Sequence, residues 1–361
     1  MSLSVSTTTT TIAQEPKPRV ILGLMNFGPD PNAGGRITTL DEFNRCLDHF
    51  QERGYNEVDT ARLYMEGKQE EFTAAAQWKK RGLVLATKVY PVHPGFHGSQ
   101  VLRTKVSDSL QALQTDHVDI FYLHAADRSV PFAETLETVN ELYQRGKFER
   151  LGLSNYTAFE VAEIVTMCNE RGWVRPTIYQ AVYNAITRSI EDELIPCCRR
   201  YGMEIVVYNP LAGGMLSGKY TTAASIPTEG RFSDKNTRAA VYREKYFKDT
   251  TFEALKDIES VLKRRNLTFV ETALRWLRHH SALRMKDDGN DGILIGVSSF
   301  SQLESNLNDL EKGPLPDEVV QALDGAWMNV KATAGNYWHL DLKYSYDTVA
   351  ALFGKGAERG E

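Results

Sequence analysis

Four polar residues stand at or just beyond the ends of short apolar runs, where a parallel sheet or barrel places its reactive side chains. Asp59, Lys88 and His124 each end such a run, and Tyr64 follows Asp59 closely. A phenol, whose pKa is ordinarily about 10, is a poor acid at neutral pH, and a neighbouring ammonium lowers that pKa. Asp59 would keep Lys88 charged, and His124 would donate a hydrogen bond to a carbonyl oxygen. The set predicts protonation of a carbonyl oxygen while a hydride reaches its carbon.

Each of these residues has a simpler explanation when it is taken alone. Asp59 could cap a turn, Tyr64 could pack at a rim, and Lys88 could be solvated. His124 could be a hydrogen-bonded structural histidine. However, a lysine and an aspartate at the ends of buried neighbouring strands would cost several kcal/mol unless they pair with each other. Their grouping therefore favours a shared site.

The elements that must position these residues alternate regularly. Short runs rich in β-branched and aliphatic residues are separated by segments with helical periodicity, which is typical of a parallel sheet covered by helices. Eight such runs predict an α/β fold of the closed (β/α)8 type, a TIM barrel. The predicted strands are 19–24, 57–59, 83–88, 118–124, 148–154, 177–180, 204–208 and 293–297, and the clearest helices are 40–53, 99–114, 132–145, 157–170, 251–265 and 315–329.

One domain with three parts is expected. Residues 1–17 are Ser/Thr-rich and predict a disordered tail, 18–338 form the barrel, and 339–361 form a C-terminal arm near the substrate mouth. About 85 residues separate the seventh and eighth predicted strands. A long loop after strand seven is where a lid or clamp would lie.

Composition excludes several classes of protein. The 361 residues are 42% hydrophobic and 25% charged, with a net charge of −5, as in a globular protein that does not bind nucleic acid. No apolar stretch approaches the length of a membrane span. The four cysteines predict buried thiols in a reducing compartment, and the N-terminus has no apolar signal segment. A cytoplasmic location is the expectation.

The hydride must come from a cofactor, since no side chain supplies one. Neither a G-x-G-x-x-G motif after a strand nor a P-loop motif is present. A barrel can instead bind phosphates with the loops after strands seven and eight, here 209–219 and 298–306. Glycines in the first let backbone N–H groups approach a pyrophosphate, and the second opens a helix. Tyr208 is placed to stack on a nicotinamide, although core packing is an equally simple explanation.

Several motifs resemble the aldo-keto reductases in order and approximate spacing, from about residue 20 to 338. They are Asp59-Thr60-Ala61 followed by Tyr64, Ala86-Thr87-Lys88, Leu123-His124 and Gly152-Leu153-Ser154-Asn155. The chain is most similar to the aflatoxin-aldehyde reductase branch. That similarity lies in 183–188, 209–220, 230–232 and 275–276.

The resemblance implies NADPH-dependent reduction of small-molecule aldehydes or ketones, without a metal. It implies a catalytic tetrad in which Tyr64 is the general acid and Asp59, Lys88 and His124 assist, with His124, Tyr242 and Lys245 contacting the substrate. Dimers occur in the branch, so the resemblance leaves a homodimer open. The implied cofactor-binding residues are Ser154, Asn155, Gln180, Tyr208, Asn209, Leu211, Gly213, Leu216, Gly218, Lys219, Arg231, Gly296, Ser298, Ser299, Gln302 and Asn306.

Some positions depart from the family pattern. Lys245 stands where the branch commonly has arginine, which keeps positive charge but loses a bidentate fork. Val297 and Gln302 stand where many aldo-keto reductases carry basic groups for the 2′-phosphate. The preference for NADPH therefore depends on the resemblance to the branch.

Two rival interpretations stay open. One is a non-catalytic aldo-keto fold that senses nucleotide, like a channel-associated β subunit, against which an intact tetrad counts. The other is a metal-dependent barrel hydrolase using His93 and His97, but Pro94 and Gly95 between them preclude a regular helix.

Overall fold

In the computed structural model, which describes residues 17–220, 227, 230–234, 239–285 and 289–354, eight parallel strands close into a barrel. Strands pair in chain order, and the last pairs with the first, with Val20 opposite Ile293. The predicted fold class is confirmed. The strands are β1 Arg19–Gly23, β2 Glu57–Asp59, β3 Val84–Val89, β4 Val118–Leu123, β5 Phe148–Ser154, β6 Pro176–Val182, β7 Glu204–Tyr208 and β8 Gly292–Gly296.

Helices surround the barrel because their apolar faces pack against the outward side chains of the strands. Their starts carry sequence signals: Thr39 caps α1, and Thr157 with Glu160 forms a capping box on α5. The helices are α1 Leu40–Glu52, α2 Lys68–Ala75, α3 Ser99–Ala112, α4 Phe132–Gln144, α5 Ala158–Arg171, α6 Leu194–Arg200, α7 Ala239–Tyr246, α8 Asp249–Arg265, α9 Phe269–His279, α10 Phe300–Leu310, α11 Asp317–Lys331 and α12 Thr348–Phe353.

The inside of the barrel is packed rather than open. A layer of mainly apolar side chains fills it at mid-height: Ile21, Ala86, Ile120, Tyr122, Ile178 and Val206. Below this layer, at the amino ends of the strands, the Arg19 guanidinium contacts the carboxylates of Glu57 and Glu204, both at 2.7 Å. The reactive groups are thereby confined to the carboxyl ends of the strands.

The insertion after β7 contains more structure than the sequence indicated. It begins with a 3₁₀ segment, Ala212–Ser217, and continues through α7, α8 and α9. Of these helices, only α8 was predicted, as the helix 251–265. Residues 221–226, 228–229, 235–238 and 286–288 of this insertion lie outside the described residues.

The termini and cysteines complete the description. The predicted disordered tail, apart from Lys17, lies outside the described residues, as do 355–361 of the C-terminal arm. Cys46, Cys168 and Cys198 are buried, Cys197 is half-buried, and all four are free thiols. Among the helices that the structure describes, none combines the length and apolar character needed to cross a membrane.

Candidate active site

The four predicted catalytic residues converge at the carboxyl end of the barrel. The Lys88 ammonium is fully buried and donates to a carboxylate oxygen of Asp59 and, at 2.6 Å, to the carbonyl oxygen of Thr60. The same ammonium lies 5.4 Å from the centre of the Tyr64 ring. The ring of Tyr64 meets that of His124 edge-on, with centroids 6.2 Å apart. A phenol thus lies between a buried cation and an imidazole.

Tyr64 is carried by a tight turn rather than by a regular element. Met65 and Glu66, which follow it, adopt left-handed φ values of 49° and 56°, and Gly67 a φ of 92°. Glycine is favoured at position 67 because side-chain-bearing residues rarely adopt this φ, and a Cβ there would also displace the Arg62 guanidinium. That guanidinium pairs at 2.6 Å with the buried carboxylate of Glu70.

Glu70 joins this turn to β3. Its carboxylate accepts a 2.6 Å hydrogen bond from Thr87, the residue before Lys88, and desolvation by burial raises its pKa. The peptide N–H of Arg62 donates to the carbonyl oxygen of Lys88 at 3.0 Å. Because one carboxylate holds both segments, Tyr64 and Lys88 are fixed relative to each other.

The predicted carboxamide ligands already engage their neighbours. Gln180 donates to the second carboxylate oxygen of Asp59 at 2.9 Å, which orients that carboxylate. The Asn155 amide donates at 2.9 Å both to the carbonyl oxygen of His124 and to the Ser154 hydroxyl. Asn155 has a left-handed φ of 60°, a conformation that asparagine tolerates better than most residues. These groups line the mouth and also hold it together.

Tyr208 ends β7 beside them. Its hydroxyl donates to the Asn155 amide oxygen at 2.8 Å. Burial is the main cause that raises the pKa of Tyr208 well above its ordinary value, so it stays a neutral phenol. Its ring is fixed by a hydrogen bond at one end, as a stacking platform requires.

The first predicted phosphate loop, 209–219, is held by Asn209 and covered by α7. Asn209 accepts from the Gly213 N–H at 2.5 Å and donates to the Tyr246 hydroxyl at 2.8 Å. A Cβ on Gly213 would lie 2.7 Å from the Tyr242 ring. In this loop Leu216 is buried, Leu211 is half-buried, and Gly218 and Lys219 are exposed.

Arg231 bridges two sides of the mouth. Its guanidinium donates to the Tyr242 hydroxyl at 3.2 Å and to the Asn26 side chain, from the loop after β1, at 3.4 Å. Asn26 in turn donates to the carbonyl oxygen of Val297 at 2.9 Å. We call Arg231 and Asn26 the clamp. It links the insertion, the loop after β1 and the end of β8.

The second predicted phosphate loop leads into α10. Ser299 caps this eleven-residue helix by accepting from the Gln302 N–H, and the Gln302 side chain accepts from the Ser298 N–H at 2.8 Å. Ser298 and Gly296 are exposed, and Asn306 is buried. Free space adjoins Gly296, since a Cβ there would meet no atom within 4 Å.

Lys245 lies apart from the tetrad. Together with Thr187 and Thr333 it borders a small cavity beside the end of α11. Desolvation, followed by the nearby charge of Lys248, lowers the pKa of Lys245 to about 8. Within the described residues no carboxylate pairs with its ammonium. Tyr242 lies closer to the mouth, through its contacts with Gly213 and Arg231.

Two residues at the mouth were not predicted. The Tyr90 ring meets the His124 ring edge-on with centroids 5.3 Å apart, and the His339 ring lies 6.0 Å beyond Tyr90. Tyr90 could have been found because it directly follows β3. No local signal identifies His339, which comes from the C-terminal arm.

The histidines proposed for a metal site do not form one. His97 is buried with its ring 3.2 Å from the carbonyl oxygen of Val89, whereas His93 is exposed. Nowhere in the described ranges do three or more His, Cys, Asp or Glu side chains group as a metal ion would require.

Comparison with known proteins identifies the family of this chain. Residues 19–328 match the aldo/keto reductase family. The chain belongs to that family. It is 45% identical to an aldo-keto reductase of Pseudocercospora fijiensis, over 81% of this chain and 99% of the relative. It is 41% identical to the aldo-keto reductase pigE of Monascus ruber, over 90% and 98% respectively.

The branch predicted from the motifs is also confirmed. This family member is 40% identical to aflatoxin B1 aldehyde reductase member 2 of Rattus norvegicus, over 89% of this chain and 88% of the relative. The family and these relatives support an oxidoreductase that acts on carbonyl groups.

Proposed function

We propose that the protein reduces aldehydes or ketones to alcohols with NADPH, and that Tyr64 is the general acid. The observation that carries this proposal is the buried Lys88 ammonium, which lies between the Asp59 carboxylate and the Tyr64 ring. An ammonium beside a phenol stabilises the phenolate that remains after proton transfer, and so makes the phenol a better acid.

Each member of the tetrad then has a distinct task. Tyr64 gives its hydroxyl proton to the carbonyl oxygen as that oxygen gains electron density. Lys88 stabilises the resulting phenolate, and Asp59, oriented by Gln180, keeps Lys88 charged and in place. His124, whose ring meets that of Tyr64 edge-on, donates a hydrogen bond that orients the carbonyl.

The residues of the mouth fit a dinucleotide. NADPH would supply the hydride that reduces the carbonyl carbon. Tyr208 would stack against the nicotinamide, and Ser154, Asn155 and Gln180 would bind its carboxamide. Backbone N–H groups of 209–219 and the start of α10 would hold the phosphates, and Gly213, Gly214 and Gly218, with φ values of 68°, 110° and 74°, give this loop the tight turns that bring its backbone close to an anion. Arg231 would close over the pyrophosphate.

Substrate contacts are proposed for His124, Tyr242 and Lys245. Lys245 is a half-buried cation without a carboxylate partner among the described residues, and such a cation favours a substrate that carries an anionic group. The proposed substrates are therefore carbonyl compounds with a carboxylate at some distance from the reacting carbon.

Replacement of Tyr64 by phenylalanine tests the assignment. Tyr64→Phe removes only the hydroxyl, so NADPH should still bind, while the rate of aldehyde reduction should fall by about 100-fold or more. NADPH oxidation and the quenching of protein fluorescence on NADPH binding are the two measurements. Tyr143→Phe, at an exposed position on α4, is the matched control and should retain full activity.

Two outcomes would contradict the proposal. Turnover near the wild-type rate in Tyr64→Phe would remove Tyr64 as the acid. Tight NADPH binding by the wild type without oxidation in the presence of any aldehyde would indicate a nucleotide sensor.

A further inference from the structure

A second tyrosine ring lies near the Lys88 ammonium. The centre of the Tyr122 ring is 5.9 Å from the Lys88 nitrogen Nζ, compared with 5.4 Å for the Tyr64 ring. Tyr64 belongs to the mouth of the barrel, whereas Tyr122 belongs to the packed layer at mid-height. The face of a neutral aromatic ring attracts a cation within about 6 Å, most strongly where water is excluded. Because Lys88 is fully buried, both rings act on a desolvated charge.

The strand register explains why Tyr122 reaches Lys88. The two residues pair directly across β3 and β4, and Tyr122 pairs on its other side with Gly152 of β5. Side chains at paired positions point to the same face of a sheet, here the inside of the barrel. A Cβ on Gly152 would lie 2.2 Å from Cδ1 of Tyr122, so the ring occupies the space that a side chain at position 152 would need. The missing side chain at Gly152 therefore gives the ring its place inside the barrel.

Tyr122 also separates two sets of charges. Burial, followed by the charge of Asp59, raises the pKa of Tyr122 above its ordinary value, so its ring remains that of a neutral phenol. The other charges that act on Tyr122 lie toward the amino ends of the strands: Arg19, Glu57 and Arg150. Tyr122, Asp59 and Arg19 border a small cavity between these two sets. A smaller side chain at position 122 would enlarge that cavity beside Lys88 and admit water to it.

We propose that Tyr122 is a positioning residue for the reaction, and that its ring keeps the Lys88 ammonium charged and close to Tyr64. This inference rests on the proposed carbonyl reduction with Tyr64 as general acid. Tyr122 acts through Lys88, since the ring stabilises the ammonium and the ammonium stabilises the Tyr64 phenolate. Without the ring, water would screen the charge of Lys88, and Tyr64 would be a weaker acid.

The pH dependence of the chemical step tests this role. When protein preloaded with NADPH reduces propanal, a neutral aldehyde, in a single turnover, the rate of NADPH oxidation should fall at alkaline pH as Tyr64 loses its proton. Tyr122→Leu should move this decline to higher pH by about one unit and lower the rate at neutral pH about threefold to tenfold, because a weaker acid transfers its proton more slowly. The dissociation constant for NADPH should not change.

Two control variants isolate the contribution of the ring. Tyr122→Phe keeps the ring and should keep the wild-type decline, with a rate within about twofold of the wild type. Tyr55→Leu removes another buried tyrosine ring, which stacks on Phe50 just before β2, at the end of the barrel opposite the mouth. It should lower the free energy of unfolding without moving the decline.

The other titratable groups near Tyr64 and Lys88 are unchanged in these variants. Among the described residues they come from β2, from the ends of β3 and β4, and from β7: Asp59, Tyr90, His124 and Tyr208. A shift shared by Tyr122→Leu and Tyr122→Met, but absent from Tyr122→Phe, is therefore due to the ring. Tyr122→Met has a flexible side chain that fills more of the space, so it serves if Tyr122→Leu does not fold.

Two results would overturn the role of Tyr122. Rates that are lower than those of the wild type at every pH, with the decline at the same pH, would show that Tyr122 only supports the fold. A shift in Tyr122→Phe as large as in Tyr122→Leu would assign the effect to the hydroxyl instead of the ring.

The proposed function fails in a different way. The residual rate of Tyr64→Phe should show no alkaline decline, and a decline that persists there would overturn Tyr64 as the acid and the role of Tyr122 with it. A decline that is lost in Tyr64→Phe but unmoved in Tyr122→Leu and Tyr122→Met would leave the proposed function intact and overturn only the role of Tyr122.

Discussion

Lys245 is a residue whose charge changes near physiological pH. Burial and the neighbouring Lys248 lower its pKa to about 8. Below that pH the ammonium is charged and attracts a carboxylate, and above it the amine is neutral and does not. For an aldehyde that bears a carboxylate, KM should therefore rise as the pH increases through about 8, whereas KM for a neutral aldehyde should not follow that change.

A conservative variant sharpens this prediction. Lys245→Arg carries a guanidinium that stays charged throughout this pH range, so the rise in KM for the carboxylate-bearing aldehyde should disappear. Steady-state kinetics with both aldehydes between pH 6.5 and 9 make the comparison. Parallel KM profiles for the two substrates in the wild type would mean that Lys245 does not contact the carboxylate.

Among the elements, the loop 209–219 has a strict backbone requirement. Gly213 has a φ of 68°, and a Cβ there would collide with the ring of Tyr242, which Arg231 contacts. Gly213→Ala should therefore displace the clamp and weaken NADPH binding by about tenfold, equivalent to about 1.4 kcal/mol. Fluorescence titration with NADPH measures the effect.

Gly146 offers a matched control for the strain itself. It has the same φ of 68°, but a Cβ there would meet no atom within 4 Å. Gly146→Ala should lower the free energy of unfolding by about 1 kcal/mol and leave NADPH affinity unchanged. Equal affinities in the two alanine variants would show that the loop does not hold the cofactor.

The elements also show what the sequence reveals and what it hides. All eight strands were predicted, with ends that differ by at most two residues, because buried parallel strands are short apolar runs. The helix α2 was not predicted, since its buried positions include Gln69, Glu70 and Thr73, and polar residues on the inward face leave no apolar periodicity. These same residues support the turn that carries Tyr64.

At the scale of the whole molecule, the site could be predicted where it depends on strand ends and not where it depends on distant chain segments. Asp59, Lys88 and His124 lie at or within one residue of a strand end, so the barrel itself brings them together. The contact of His339 with Tyr208 joins residues that are 131 positions apart, and nothing local in the arm indicates it. The clamp from Arg231 to Asn26 spans 205 positions and was equally hidden.

Substitutions at the end of the barrel opposite the mouth should lower stability without lowering activity. Arg19, only 8% exposed, joins β1 to Glu57 on β2 and Glu204 on β7 at the end opposite the mouth, and the packed layer around Tyr122 lies between. Arg19→Leu leaves the half-buried Glu57 carboxylate without its partner and Glu204 with Arg150 alone, so it should lower the free energy of unfolding in urea by about 3 kcal/mol. Arg103→Leu, which breaks a pair with Glu141 on the exposed helix surface, should cost less than about 1 kcal/mol.

Under folding conditions both variants should reduce aldehydes with a kcat within about twofold of the wild type, because the reacting groups lie at the carboxyl ends of the strands. A kcat loss in Arg19→Leu as large as in Tyr64→Phe, with the protein still folded, would contradict this expectation. It would show that the charge of Arg19 affects the reacting groups across the packed layer.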